Sequence, residues 1–124
     1  QNNYVEYIAG NLPIIIGVPH GGILTPTNLP VIHNRGVDNG SFETSHLLYD
    51  SIVQHTNGCF PHMIISHLHP SVMNPVREID TAAGTNIEAR NAWHEFHDFI
   101  DTSKFDITNT WSAGHYFEMH GNGH

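Results

Sequence analysis

The sequence predicts an α/β fold, a three-layer-type open and mostly parallel sheet with flanking helices, in a single domain of residues 1-124. Short apolar runs rich in β-branched residues alternate with segments whose apolar residues recur at helical spacing. No internal repeat, low-complexity tract or linker interrupts this alternation. A chain of 124 residues can bury one core but not two. We therefore expect one β-α-β-α-β unit.

Three segments are predicted to be strands. Residues 13–18 (PIIIGV) form an apolar run typical of a strand buried on both faces, and His20 follows it within a glycine-containing loop. Residues 60–66 (FPHMIIS) have the same character, whereas residues 115–120 (HYFEMH) alternate in polarity and end at His120. Because parallel strands end at one edge of a sheet, we expect these two histidines to converge there.

Two segments are predicted to be helices. Ser41 is a candidate N-cap of the first helix, which places Glu43 in its first turn. The second helix is predicted to begin at Thr85 or Asn86, to pack an apolar stripe against the sheet, and to end near Lys104.

The composition argues against two kinds of partner. Four basic residues against twelve acidic ones give a formal charge of −8 with histidine neutral, so a nucleic-acid backbone would be repelled. The longest apolar run, residues 14–18, is far too short to cross a bilayer, so no membrane is expected as a partner. Twelve histidines are the anomaly of this composition, and they indicate metal binding or a response to pH.

Two features favour a secreted, extracellular glycoprotein. The chain starts at Gln1 rather than at Met, which we interpret as removal of a leader. Asn39-Gly40-Ser41 matches the acceptor pattern for N-glycosylation at Asn39. Cys59 is the only cysteine, so it is either a buried, inert thiol or half of an intermolecular disulfide.

Three short motifs carry a family resemblance. Val18-Pro19-His20-Gly21-Gly22 follows a predicted strand, Glu43-Thr44 opens a predicted helix, and Met119-His120-Gly121 closes the last strand. In this order they resemble the metal-ligand motifs of the N-formylglutamate amidohydrolases, zinc enzymes related in fold to zinc carboxypeptidases. The resemblance covers most of the chain and implies a shortened, C-terminally truncated, phosphorylase/hydrolase-like fold. It also implies that His20, Glu43 and His120 hold Zn²⁺, with Asp38 as an alternative to Glu43.

The same resemblance suggests further roles. The segment 67–80 is similar to one that ends in an Asn-Arg pair and holds the substrate's carboxylate; Arg77 matches the arginine, but Val76 replaces the asparagine. Arg77 would therefore bind a small carboxylate ligand. The family's catalytic glutamate is expected well after the last ligand, and only four residues follow His120 here. Glu118 is accordingly the candidate catalytic base, or an additional ligand.

Other histidines offer alternative sites. His67 and His69 alternate on an extended segment, and His94 and His97 lie one helical turn apart, so either pair can chelate Zn²⁺ or Cu²⁺. His124 is a further candidate, because the glycine-rich tail would let it approach a metal at His120.

Three functions remain open from the sequence. The first is an extracellular zinc-binding protein in which hydrolysis is lost or changed. The second is an active zinc-dependent amidohydrolase acting on a linear amide and completed by a second chain. The third is a His-rich metal-buffering or matrix protein. A shortened sheet exposes its edges, so we also expect a homodimer, which a disulfide at Cys59 could reinforce.

Overall fold

The computed structural model describes residues 3–121. It is an α/β structure with an open, mixed sheet of four strands and flanking helices. The elements in chain order are β1 (Val5–Ile8), β2 (Ile14–Val18), α1 (Ser41–His55), β3 (His62–Ser66), α2 (Ile79–Ala83), α3 (Ile87–Trp111) and β4 (His115–Glu118).

The strands lie in the order β1-β3-β2-β4. Strand β2 pairs in parallel with β3 on one side and with β4 on the other, which brings the three predicted strands together. Strand β1 was not predicted; it pairs antiparallel with β3 and makes the sheet mixed. The α/β class is therefore confirmed, with an antiparallel strand added at one edge.

The two faces of the sheet bury separate clusters, because successive side chains of a strand point to opposite faces. On one face Ile15 and Ile64 pack against α3, whose buried residues include Phe96 and Ile100. On the other face Ile16 and Met63 contact α1. The residues of α1 in this second cluster are Phe42, Leu48, Tyr49 and Ile52. Helices thus cover both faces, as the three-layer prediction requires.

The helix boundaries differ in part from the predicted ones. Gly40, not Ser41, is the N-cap of α1, and its positive φ of 79° suits glycine. The Ser41 hydroxyl instead donates to the Asp38 carbonyl at 3.0 Å. At α3 the prediction of Asn86 as N-cap is confirmed, since its side chain accepts from two backbone N–H groups of the first turn. The predicted end near Lys104 is wrong, because the helix continues to Trp111.

Long connections at the C-terminal ends of the parallel strands carry most of the polar residues discussed below. Residues 19–40 join β2 to α1, and residues 67–78 join β3 to α2. Leu24 and Leu68 link the two connections through an isolated parallel bridge. Within residues 3–121, no helix combines the length and apolar character that a bilayer crossing requires.

Candidate metal centre

His20 is held at the end of β2 with a defined ring orientation. It is 2% exposed, and its Nε2 lies 2.7 Å from Oδ1 of Asn74. The Val76 backbone N–H donates to the same Oδ1 at 3.3 Å, which fixes that atom as the amide oxygen. Nε2 of His20 therefore carries the proton and donates, which leaves a lone pair on Nδ1.

Asp38 supplies a buried carboxylate directly in front of this lone pair. Its side chain is 5% exposed, and Oδ2 lies 3.3 Å from Nδ1 of His20. The Asp38 backbone N–H donates to the His20 carbonyl at 3.0 Å, so the two residues are coupled through the main chain as well. The position of Asp38 next to the N-terminus of α1 follows from the hydrogen bond that Ser41 makes to its carbonyl.

His120 reaches the same carboxylate from the end of β4. Its Nδ1 donates to Oδ2 of Asp38 at 3.0 Å, and its Nε2 donates to Oε2 of Glu118 at 2.8 Å. The centroids of the His20 and His120 rings are 5.0 Å apart, and the ring planes are tilted by 52°. Because β2 and β4 are parallel neighbours, their C-terminal ends bring the two histidines together, as the sequence predicted.

The two histidines are arranged alike around Asp38. Each ring is anchored through Nε2, by Asn74 in one case and Glu118 in the other, and each directs Nδ1 at Oδ2 of Asp38. One ligand atom from each of the three residues lies within 4.8 Å of the others. Within residues 3–121 they form the one such group of three or more histidine, cysteine or acidic residues.

The separations of the two histidine nitrogens from the Asp38 oxygen are close to those between ligand atoms of a zinc ion. Bonds of about 2.0–2.2 Å in a tetrahedral site separate neighbouring ligand atoms by about 3.3 Å. The observed separations from Asp38 Oδ2 are 3.3 Å to His20 Nδ1 and 3.0 Å to His120 Nδ1. Outer hydrogen bonds that fix the unligated nitrogen are a regular feature of metal-binding histidines. The three residues therefore offer a divalent metal two imidazoles and a carboxylate, and binding requires loss of the His120 Nδ1 proton that donates to Asp38.

Arg35 is a positively charged neighbour of this group. Its Nη2 donates to Oδ1 of Asp38 at 2.8 Å and to Nδ1 of His20 at 3.1 Å. A guanidinium only donates, which again requires His20 to present a lone pair at Nδ1. The Arg35 side chain is 38% exposed, so it can leave without opening the core.

The charges of the group follow from its contacts. Burial lowers the pKa of His20, and the nearby Arg35 guanidinium adds to that effect, so this ring is neutral. Burial acts in the same direction on His120, but hydrogen bonds to Glu118 and Asp38 outweigh it and raise its pKa. Burial alone would raise the pKa of Asp38, yet its hydrogen bonds and cationic neighbours hold it below the ordinary value. Asp38 is therefore an anion, and both ring nitrogens of His120 face carboxylate oxygens, which favours the protonated ring.

Glu43, the predicted carboxylate ligand, lies outside the group formed by His20, Asp38 and His120. It is exposed in the first turn of α1 and lines a surface depression together with Gly22, Leu24 and His67. It does not belong to the three-residue group, whose carboxylate comes from Asp38, the alternative that the sequence had left open.

The structure places Glu118 and Arg77 in different surroundings. Glu118 contacts the group through His120 and also accepts from the Tyr116 hydroxyl at 3.2 Å. Arg77 is exposed three residues beyond Asn74, and its guanidinium makes no hydrogen bond or ion pair within the described part of the chain. It is therefore available to a ligand.

The alternative histidine pairs have other partners. His67 Nε2 lies 2.9 Å from Oε1 of Glu6, and His69 Nδ1 accepts from the Ser71 backbone. His97 Nε2 donates to the Pro75 carbonyl, while His94 is exposed. Neither pair joins a group of three ligands within residues 3–121, and His124 lies outside the described residues.

Glycosylation at Asn39 and an intermolecular disulfide at Cys59 remain predictions. Asn39 is exposed in the turn before α1, as glycosylation requires, although Ser41 of the acceptor pattern is buried. Cys59 is a free, half-buried thiol in the connection from α1 to β3.

Two residues of the site were not predicted, Arg35 and Asn74. Arg35 is one of only four basic residues in the chain, which is a signal that could have drawn attention to it. Asn74 lies two positions before Val76, where the family resemblance predicts asparagine, so the amide is shifted along the loop.

Comparisons with known families, curated proteins and solved structures found no match to this chain.

Proposed function

We propose that this protein binds a divalent metal ion, with zinc as the leading candidate, through His20, Asp38 and His120. The observation that carries the proposal is the matched anchoring of the two histidines, each held through Nε2 with Nδ1 directed at one carboxylate oxygen. Two imidazoles and a carboxylate are a common donor set for Zn²⁺, and Cu²⁺ also accepts it.

The arrangement also supports a relationship to zinc hydrolases. His20 and His120 are the residues that the resemblance to N-formylglutamate amidohydrolases implies as ligands, and both follow parallel strands. We propose a shortened hydrolase-like fold on this basis. If His20, Asp38 and His120 held zinc, the ion would be able to activate a water molecule as a nucleophile near neutral pH.

Glu118 is better suited to orienting His120 than to acting as a base. Its Oε2 accepts from His120 Nε2 and its Oε1 from Tyr116, so both carboxylate oxygens are engaged. A carboxylate behind a ligand histidine holds the ring and increases its basicity. We therefore propose metal binding with hydrolysis lost or changed.

The test measures zinc in matched variants. Protein purified without added metal is subjected to elemental analysis, and zinc binding is then titrated by calorimetry. We expect one zinc per chain. Asp38→Asn should weaken binding by more than the 10–100-fold that loss of an outer hydrogen-bonding partner typically costs. Glu43→Gln, which makes the same change to net charge, should bind like the unsubstituted protein.

Each other outcome has a definite meaning. Loss of zinc in Glu43→Gln but not in Asp38→Asn would assign the carboxylate to Glu43. No binding by the unsubstituted protein would end the proposal. Several weakly bound ions, insensitive to both substitutions, would favour a His-rich metal buffer. Circular dichroism of each variant shows whether the fold is retained.

A second candidate, an active amidohydrolase, is favoured by one observation. The exposed guanidinium of Arg77 has no partner within the described residues and can hold a carboxylate by two parallel hydrogen bonds. Formate release from N-formylglutamate by the zinc-loaded protein, lost in Arg77→Lys because lysine lacks the planar fork, would support it.

A further inference from the structure

A second cavity lies at the opposite end of the parallel strands from His20 and His120. It has a volume of about 300 Å³ and is bordered by residues 10–12, which precede β2, and by the last turns of α3. Its floor includes His62, the first residue of β3. The other polar side chains that line it are Asn11, Asp106, Asn109, Thr110 and Trp111.

His62 presents an unused N–H group in this cavity. The residue is 1% exposed, and its Nδ1 accepts from the Gly10 backbone N–H at 3.1 Å and from the Tyr7 hydroxyl at 2.9 Å. An amide N–H only donates, so Nδ1 carries no proton and the ring proton lies on Nε2. That N–H has no acceptor within residues 3–121. Within residues 3–121 the Ser66 hydroxyl is the one fully buried side-chain polar atom without a partner, so the His62 Nε2 atom is open to the cavity, where a ligand can accept its hydrogen bond.

Asp106 supplies the complementary acceptor. Its carboxylate lines the same cavity and accepts no hydrogen bond from the described residues. A group that meets both His62 and Asp106 must accept one hydrogen bond and donate another, which is what a hydroxyl does. Asn109 and Thr110 add groups that both donate and accept. The lining therefore selects for a ligand with several hydroxyls.

Trp111 adds an apolar surface at the rim. Its indole Nε1 donates to the Asn11 carbonyl at 3.1 Å, which fixes the ring, and 48% of the residue remains exposed. A half-exposed aromatic ring with its polar end already bonded offers an apolar face to a ligand. A rigid aromatic face beside aspartate and asparagine suits a sugar ring, which carries C–H groups on one face and hydroxyls at its edge.

We propose that this cavity binds a neutral saccharide unit, whose hydroxyls accept from His62 and donate to Asp106 while its C–H face packs on Trp111. An anion would meet the Asp106 carboxylate on a chain of formal charge −8, so anionic ligands are disfavoured. A cation would leave the His62 N–H without an acceptor. The site does not depend on the metal centre, because the two lie at opposite ends of β2.

The test is an amide NMR titration of the full chain with glucose, galactose, mannose and N-acetylglucosamine, each up to tens of millimolar. At least one sugar should shift the amides of residues 10–12 and 106–111 in a saturable manner. Acetate and choline serve as anionic and cationic probes of similar small size and should not.

Matched variants assign the shifts to the cavity. Asp106→Asn removes the charged acceptor and should weaken sugar binding about tenfold or more, the typical effect of losing a hydrogen bond to a charged group. Asp101→Asn makes the same charge change on the exposed side of α3 outside the cavity and should bind normally. His62→Asn keeps an acceptor for Gly10 but removes the Nε2 donor, so it should also weaken binding.

The proposal fails if no sugar shifts these amides, or if acetate or choline shifts them as strongly as the best sugar. It also fails if Asp106→Asn and Asp101→Asn bind equally. Zinc binding by Asp106→Asn should remain unchanged, so failure here leaves the metal proposal standing.

Discussion

Arg35 is the residue that competes most directly with a metal. Its guanidinium contacts both Asp38 and His20, two of the three proposed ligands. A metal ion would have to displace these hydrogen bonds and would lie close to a positive charge. Since the side chain is 38% exposed, its contribution is screened by solvent and modest.

We predict that Arg35→Ala binds zinc more tightly than the unsubstituted protein. Losing an exposed ion pair changes a binding equilibrium by about 1 kcal/mol, which corresponds to roughly fivefold in affinity. Competition titration with a zinc chelator measures this difference. Lys104→Ala removes the same charge from exposed helix surface and controls for net charge. Weaker binding by Arg35→Ala would show that the arginine supports the metal site instead of competing with it.

The sequence located the histidines of this site better than its carboxylate. His20 and His120 follow apolar strands, and the C-terminal ends of parallel strands converge, so their meeting could be argued from the pattern alone. Asp38 lies in a long connection without periodicity, and its burial results from contacts with residues far along the chain. No local pattern distinguishes it from Glu43, which also lies near the start of α1.

The predicted elements show the same division between local and long-range signals. Strands β2 and β3 are apolar runs, and Asn86 has the side chain that a helix start prefers, so these were predictable. Strand β1 has four residues with an exposed Glu6, and pairing with β3 alone makes it a strand. The last turns of α3 contain poor helix formers, yet Ile107 packs in the core and extends the helix.

His120, which follows β4, lies beside Asp38 only if the next residue, Gly121, packs closely against the main chain of residues 38 and 39. A Cβ atom added to Gly121 would overlap the Asn39 carbonyl oxygen and lie 2.9 Å from the Asp38 carbonyl carbon. Both are main-chain atoms, which cannot rotate away. A side chain at position 121 would therefore push the tail, and His120 with it, away from Asp38.

We predict that Gly121→Ala weakens zinc binding about tenfold, similar to other changes that misplace a ligand without removing it. The calorimetric titration used for Asp38→Asn measures the effect. Gly36→Ala is the matched control, since it lies in the same connection and nothing is within 4 Å of an added Cβ. Equal affinities of the two variants would mean that close packing at Gly121 does not position His120.

At the scale of the whole molecule, the sheet separates two functions that we propose. The C-terminal ends of β2 and β4 hold the metal group, and the N-terminal ends of β2 and β3 border the saccharide cavity. The remaining feature is the outer edge of β4. All four of its residues are exposed, including Tyr116 and Phe117, and its outer side has no neighbouring strand within residues 3–121.

The sequence of β4 is suited to pairing with a second copy of itself. In an antiparallel pair about a twofold axis at position 117, Phe117 lies opposite Phe117 of the partner subunit. Tyr116 then lies opposite Glu118 of the partner subunit, on the other face of the sheet. An aromatic pair across neighbouring strands contributes about 0.2–1 kcal/mol. We therefore propose that the expected homodimer forms through this edge.

Light scattering on a sizing column tests the dimer with and without reductant. We predict that the unsubstituted protein is a dimer in both conditions and that Phe117→Lys is a monomer, because a lysine on an open edge opposes strand pairing. Ile87→Lys, at a residue 68% exposed on α3, should remain a dimer. A dimer that disappears only on reduction would assign the contact to Cys59. A dimer that survives both Phe117→Lys and reductant would show that another surface forms it, because neither the β4 edge nor the thiol would then be required.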